Sequence, residues 1–149
     1  ATKIVPTAEY NPFECVKTNI NGAMNVIDAC IDKKVKGVVA LSTDTASSPV
    51  NLYGATKLAS DKLFVAGNSY AGVGGCKFSV VRYGNVMGSR GSVIPLFVNQ
   101  IAAGQPITIT DADMTRFMMT LDDAVDLVVY AFQHGHNGDL FVQKALLPH

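Results

Sequence analysis

Apolar residues fall along this chain in two alternating rhythms. Phe13, Val16, Ile20, Met24, Ile27 and Ile31 recur at helical spacing. Asn11-Pro12-Phe13-Glu14 reads as the start of that helix, with Asn as cap, Pro first and Glu third, and the run ends near Lys34. Gly37 then precedes Val38-Val39-Ala40-Leu41, a short apolar run expected to be a buried strand. A second helix is expected from Leu52 to about Asn68, with Leu58, Leu63 and Phe64 toward the core. The turn Gly72-Val73-Gly74-Gly75 leads to a strand over Lys77 to Tyr83. A loop from Gly84 to Gly91 and a helix from Val93 to Ala103 follow. Gly104-Gln105-Pro106 breaks that helix, and Ile107-Thr108-Ile109-Thr110 alternates like an edge strand. Met114 to Thr120 reads as extended. Leu121 to Phe132 reads as a helix with Asp122 and Asp123 in its first turn, where acids suit the dipole. A last strand is expected from Asp139 to Val142.

Helices alternating with apolar strands predict an α/β fold in three layers around a mostly parallel sheet. The chain has 149 residues, enough for one domain spanning 1–149. At 48% hydrophobic and 16% charged it is apolar, as strands buried on both faces require. Twelve basic residues balance twelve acidic ones, which argues against a nucleic-acid binder. The cluster Lys33, Lys34, Lys36 reads as a solvated helix end. Cys15, Cys30 and Cys76 are odd in number and contain no Cys-x-x-Cys, so reduced thiols and a cytoplasmic setting are expected. No apolar run approaches the roughly 18–20 residues of a membrane helix, and no signal peptide is visible. Ala1 stands where an initiator methionine would, through its removal or because the chain is a cut piece.

The chemistry concentrates in residues 42–57. Tyr53 and Lys57 are four apart, so a helix stacks them on one face. A free tyrosine, with a pKa of about 10, is a poor base, and a neighbouring ammonium favours the phenolate. Such a pair suits removal of a proton from a sugar hydroxyl while a nicotinamide takes the hydride. Thr43 and Asp44 lie just upstream, where the first strand should end. The other motifs read more plainly. Gly84, Gly88 and Gly91 form a weak phosphate-loop signal, and no glycine-rich turn follows a first strand as a dinucleotide fold requires. His134 and His136 read as exposed or helix-end residues, so no metal site is expected. Met114, Met118 and Met119 read as packing. Ser42 has no nearby histidine for a hydrolase triad.

Four ordered motifs resemble the extended short-chain dehydrogenase/reductases. They are Ser42-Thr43-Asp44; Asn51-Leu52-Tyr53-Gly54-Ala55-Thr56-Lys57; Ser79 to Val86 with Gly88 to Val93; and Met114-Thr115-Arg116-Phe117. Within that superfamily they are most similar to the inverting UDP-N-acetylglucosamine 4,6-dehydratases of polysaccharide biosynthesis. The resemblance implies a partial Rossmann-like fold with a truncated substrate-binding portion. It implies Tyr53 as acid/base at the sugar C4 hydroxyl, Lys57 tuning it and touching the nicotinamide ribose, and Thr43 on the same hydroxyl. Asp44 would serve loss of water across C5 and C6. Lys3 and Asn19 would belong to the cofactor side, Asn19 by supporting the geometry of the active-site helix. Asn85 would contact the UDP phosphates, with Arg90 and Arg116 near the nucleotide. The implied cofactor is NADP or NAD.

The chain departs from the family pattern in three places. Position 45 is Thr where the family has Lys; the family's Lys-His-Val-Pro appears as Lys3-Ile4-Val5-Pro6; and the amino-terminal half with its glycine turn is absent. The carboxy-terminal end also stops early, soon after Val142. The expectation is a chain that binds no dinucleotide alone and hides an exposed sheet edge in a homo-oligomer or under a partner chain. A UDP-sugar epimerase and a non-catalytic interaction module are the alternative readings.

Overall fold

The structure is a computed structural model, and it describes residues 1–144. Strand β1 (Gly37–Thr43) pairs in parallel with β2 (Lys77–Tyr83), and β2 pairs in parallel with β5 (Leu140–Val142). The sheet order β1-β2-β5 leaves one side of β1 without a strand neighbour among the described residues. A second, two-stranded parallel sheet joins β3 (Asn85–Val86) to β4 (Met118–Met119).

Helices cover both faces of the main sheet. Phe78 and Val80 point to one face with Ala40. There they bury Ala23 and Ile27 of α3 (Gly22–Asp32) and Phe64 of α4 (Leu52–Ala71). Phe78 and Val80 are wholly buried, and each is worth roughly 1.5–3 kcal/mol of transfer free energy. Gly67 of α4 lies on the Phe78 ring; a β-carbon there would sit 3.0 Å from that ring, so only glycine lets the helix approach so closely. On the other face, the Tyr83 hydroxyl donates to Ala124 O of α6 (Leu121–His134). Asn68 of α4 closes the lower end of β2. Its amide oxygen accepts from Phe78 N at 2.8 Å and its amide nitrogen donates to Phe78 O at 2.9 Å.

Several expectations are corrected. A helix absent from the sequence reading, α1 (Val5–Tyr10), precedes α2 (Pro12–Val16). Asn11 stands at the start of α2 without a side-chain capping bond. The single helix expected to Lys34 is instead α2, a π-helical turn over Lys17–Asn21, and α3. Its buried stripe is Cys15, Asn19, Ala23 and Ile27, while Phe13 is 82% exposed and Met24 is also exposed. Small side chains face α4 because two helices approach closely only across small residues. Of the three α4 residues expected in the core, Phe64 is buried, whereas Leu58 and Leu63 are half-buried. Residues 107–110 form no strand: the alternation is there, but no strand among the described residues pairs with it and all four residues are exposed. Extended pairing within 114–120 is confined to Met118–Met119. The strand over Lys77–Tyr83 and the starts of α4, α5 (Val93–Ala102) and α6 are as expected.

Candidate active site

The carboxyl end of β1 and the first two turns of α4 converge. β1 ends at Thr43, and a 3₁₀ turn over Asp44–Ala46 follows, closed by Ser47 N donating to Asp44 O. The α4 amino terminus is then held from two directions. The Asn51 side chain accepts from Gly54 N at 2.8 Å, capping the helix, and Glu9 of α1 accepts from Leu52 N at 2.6 Å. Those two caps fix where Tyr53 begins its turn.

Tyr53 and Lys57 share the α4 face toward this strand end. The Lys57 ammonium donates to Leu41 O at 2.7 Å, and its side chain is buried. Burial holds its pKa below the ordinary lysine value, while the Asp61 carboxylate works the other way. An ammonium has three donors; one is spent on Leu41, and the rest face no acceptor among the described residues. Tyr53 departs from the expectation of a lowered pKa. Burial raises it above the usual phenol value, the Asp44 and Asp61 charges add to that, and a hydrogen bond with Thr43 opposes it. Thr43 Oγ1 donates to Asp44 Oδ1 at 3.2 Å and lies 3.2 Å from Thr45 Oγ1. Thr43, Asp44 and Tyr53 therefore form one cluster beside Lys57.

Asn19 lies in the π-helical turn and is buried. Its amide oxygen accepts from Thr2 N at 2.8 Å, and its amide nitrogen donates to Thr2 O and to Thr56 Oγ1. Every group of that amide is used in tying residues 1–4 to α4. Lys3 is exposed in the segment so tied. Asn85 pairs with Met118 in the small sheet, and Asn85 N donates to Phe117 O, the residue that follows Arg116. Gly84 permits this contact, since a β-carbon there would lie 2.5 Å from Phe117. Arg90 is exposed on the loop leading to α5. No group of three or more possible metal ligands occurs among the described residues.

Two charged residues of the site escaped the sequence reading. Asp61, buried at 3% exposure, and Arg82 of β2 form an ion pair at 3.0 Å beneath Lys57. The only sequence signal was Asp61 four positions beyond Lys57, and nothing linked it to Arg82.

The sequence pattern of the family described as polysaccharide biosynthesis protein matches residues 1–147. The chain belongs to that family. A UDP-N-acetylglucosamine 4,6-dehydratase (inverting) of Campylobacter jejuni is 60% identical over 145 residues, 97% of this chain and 43% of that protein. A protein of Rickettsia massiliae named UDP-glucose 4-epimerase is 54% identical over 97% of this chain and 42% of its own length. The chain thus spans less than half the length of the curated relatives it matches. Among solved structures, Pen from Bacillus thuringiensis superposes with a TM-score of 0.93 at 52% identity, covering 97% of this chain and 44% of its own. DesIV, a dTDP-glucose 4,6-dehydratase from Streptomyces venezuelae with NAD and TYD bound, superposes at 0.86 with 23% identity, covering 95% and 49%. That second likeness shows the fold: this polysaccharide biosynthesis family chain has a Rossmann-type α/β fold. It is a homologue of part of the nucleotide-sugar dehydratases. No described helix is long and apolar enough to cross a membrane.

Proposed function

We propose that this chain carries the proton-transfer side of a nucleotide-sugar 4,6-dehydratase acting on UDP-N-acetylglucosamine. The observation that carries the reading is the meeting of Thr43, Asp44, Tyr53 and Lys57 at one strand end. In it, Tyr53 takes the proton from the sugar C4 hydroxyl and Thr43 holds that hydroxyl. Asp44 serves the loss of water across C5 and C6. The spare donors of Lys57 suit a nicotinamide ribose, and Lys3 and Asn19 flank that side, Asn19 by fixing the backbone. An NAD or NADP nicotinamide, when bound, supplies the acceptor for the C4 hydride. Asn85, Arg90 and Arg116 form the phosphate-facing side for a UDP group. A dinucleotide pyrophosphate needs helix-terminal N–H groups, so the chain alone is proposed to bind no dinucleotide and to be inactive until a glycine-turn half is supplied. The three free thiols fit a cytoplasmic setting.

The test combines this chain with a separately expressed amino-terminal half of the Campylobacter relative, NAD or NADP, and UDP-N-acetylglucosamine. A 4-keto-6-deoxy sugar supports the reading, and a stable complex without turnover rejects it. Thr45 favours one second reading. Its hydroxyl, bonded to that of Thr43, is no base near neutral pH, and oxidation at C4 without elimination is the chemistry of a 4-epimerase. A C4 epimer as product selects that alternative.

A further inference from the structure

The buried acid beneath Lys57 is the strongest unassigned feature of the molecule. One oxygen, Asp61 Oδ2, accepts from Ser42 Oγ at 2.8 Å and from Arg82 Nε at 3.0 Å. Ser42 and Arg82 are direct partners across β1 and β2, so one carboxylate ties α4 to both strands at the same level. Ser42 follows Leu41, whose carbonyl holds the Lys57 ammonium. Arg82 reaches further, donating from Nη1 to Ser47 Oγ at 3.2 Å. Ser47 in turn closes the turn that carries Asp44. Tyr53, Lys57 and Asp61 succeed one another at intervals of four along α4, on one face.

We propose that Asp61, locked by Arg82 and Ser42, is a positioning residue that sets Lys57 and Tyr53 against the Thr43–Asp44 end of β1. A buried ion pair contributes little net stability over apolar side chains of the same volume. Its value here is arrangement: α4, β1 and β2 meet at one carboxylate, and Arg82 extends the link to the turn that carries Asp44. Asp61 also opposes the burial that lowers the Lys57 pKa, because its negative charge offsets part of the cost of desolvating the ammonium. The catalytic meaning of this device rests on the dehydratase reading; its geometry and its test do not.

The test reads Lys57 directly, with no sugar or cofactor present. In the full chain carrying ¹³C-labelled lysine, the Lys57 side-chain resonance is assigned through K57R and titrated in the parent and in D61N. Loss of the Asp61 charge moves the Lys57 midpoint down. A purely structural role gives the opposite sign, since loosening hydrates the ammonium and releases its midpoint upward toward that of an exposed lysine. The Tyr53 midpoint, read by phenolate absorbance against Y53F, moves down in D61N because a negative charge has left its surroundings. The double variant D61L/R82L, which replaces the pair by apolar groups, gives a smaller shift than D61N, because loss of the Arg82 cation acts the other way. An unchanged or raised Lys57 midpoint in D61N overturns the proposal. So does failure of both variants to fold, which would make the pair a folding requirement.

Discussion

At the scale of single residues, Tyr53 and Lys57 illustrate what spacing reveals and what it hides. Four-residue spacing correctly put both on one helix face, because helix geometry is local. The protonation of each depends instead on burial and on charges from elsewhere in the chain, and there the expectation failed. Burial raises Tyr53 and lowers Lys57, and each shift disfavours the charged form. The linkage follows from these directions. Between the depressed folded pKa of Lys57 and its unfolded value, the unfolded chain binds more protons, so stability rises with pH across that window. The neutral amine suits the fold, and the cost of burying the ammonium is present in full below the folded pKa. Urea unfolding of the parent and of K57M over an alkaline pH series is expected to show the parent gaining on the variant as pH rises. Parallel curves would refute it. For chemistry, Y53F should cost about 10²–10⁴-fold in sugar conversion by the reconstituted halves, while its urea midpoint at neutral pH stays near that of the parent. The Asp61–Arg82 pair was illegible for a different reason. Its members stand 21 positions apart, and each alone looks like a surface charge.

At the scale of elements, strong local signals held and weak ones did not. The β2 run was legible because a glycine turn bounds it, and the α4 start because apolar residues at helical spacing follow it. The missed α1 has six residues and no side-chain cap, so its stability comes from contacts with α4, which sequence periodicity does not record. The π-helical turn was hidden because one extra residue per turn leaves the apolar spacing nearly intact. Alternation over 107–110 misled because a strand needs a partner, and none lies beside it. Two predictions belong here. Asn51→Ala removes the α4 cap and is expected to cost about 1 kcal/mol in urea unfolding; an unchanged midpoint would mean that Glu9 alone holds the helix start. Gly84→Ala drives a methyl into the Phe117 backbone and ring. The expected loss is about 1–3 kcal/mol, with weakened UDP binding because Asn85 loses its pairing with the strand that follows Arg116. UDP affinity equal to the parent's by calorimetry would separate the small sheet from the phosphate side.

At the scale of the whole molecule, the order β1-β2-β5 explains both the site and the open strand edge beside it. Parallel strands deliver their carboxyl ends to one rim, and α4 returns its first turns to that rim, so Thr43, Asp44, Tyr53 and Lys57 meet though they come from β1, the turn after it and α4. This much was legible, because alternating helix and apolar strand permits few topologies. Among the described residues the same order leaves β1 with one strand partner, and Leu41 on it is half exposed. An unpaired row of N–H and C=O groups beside exposed apolar side chains attracts another strand edge. The chain is therefore expected to associate through β1, with itself or with a segment that supplies the neighbouring strand. Size-exclusion chromatography with light scattering, run from dilute to concentrated solution, should show mass rising above 15.8 kDa. Leu41→Lys, which puts a charge on the open strand without touching its carbonyl, should reduce that rise. Adding the amino-terminal half of the dehydratase relative should abolish it by occupying the edge. A monomer at every concentration would mean that β1 is covered from within, and the split-enzyme reconstitution would then have no edge on which to assemble.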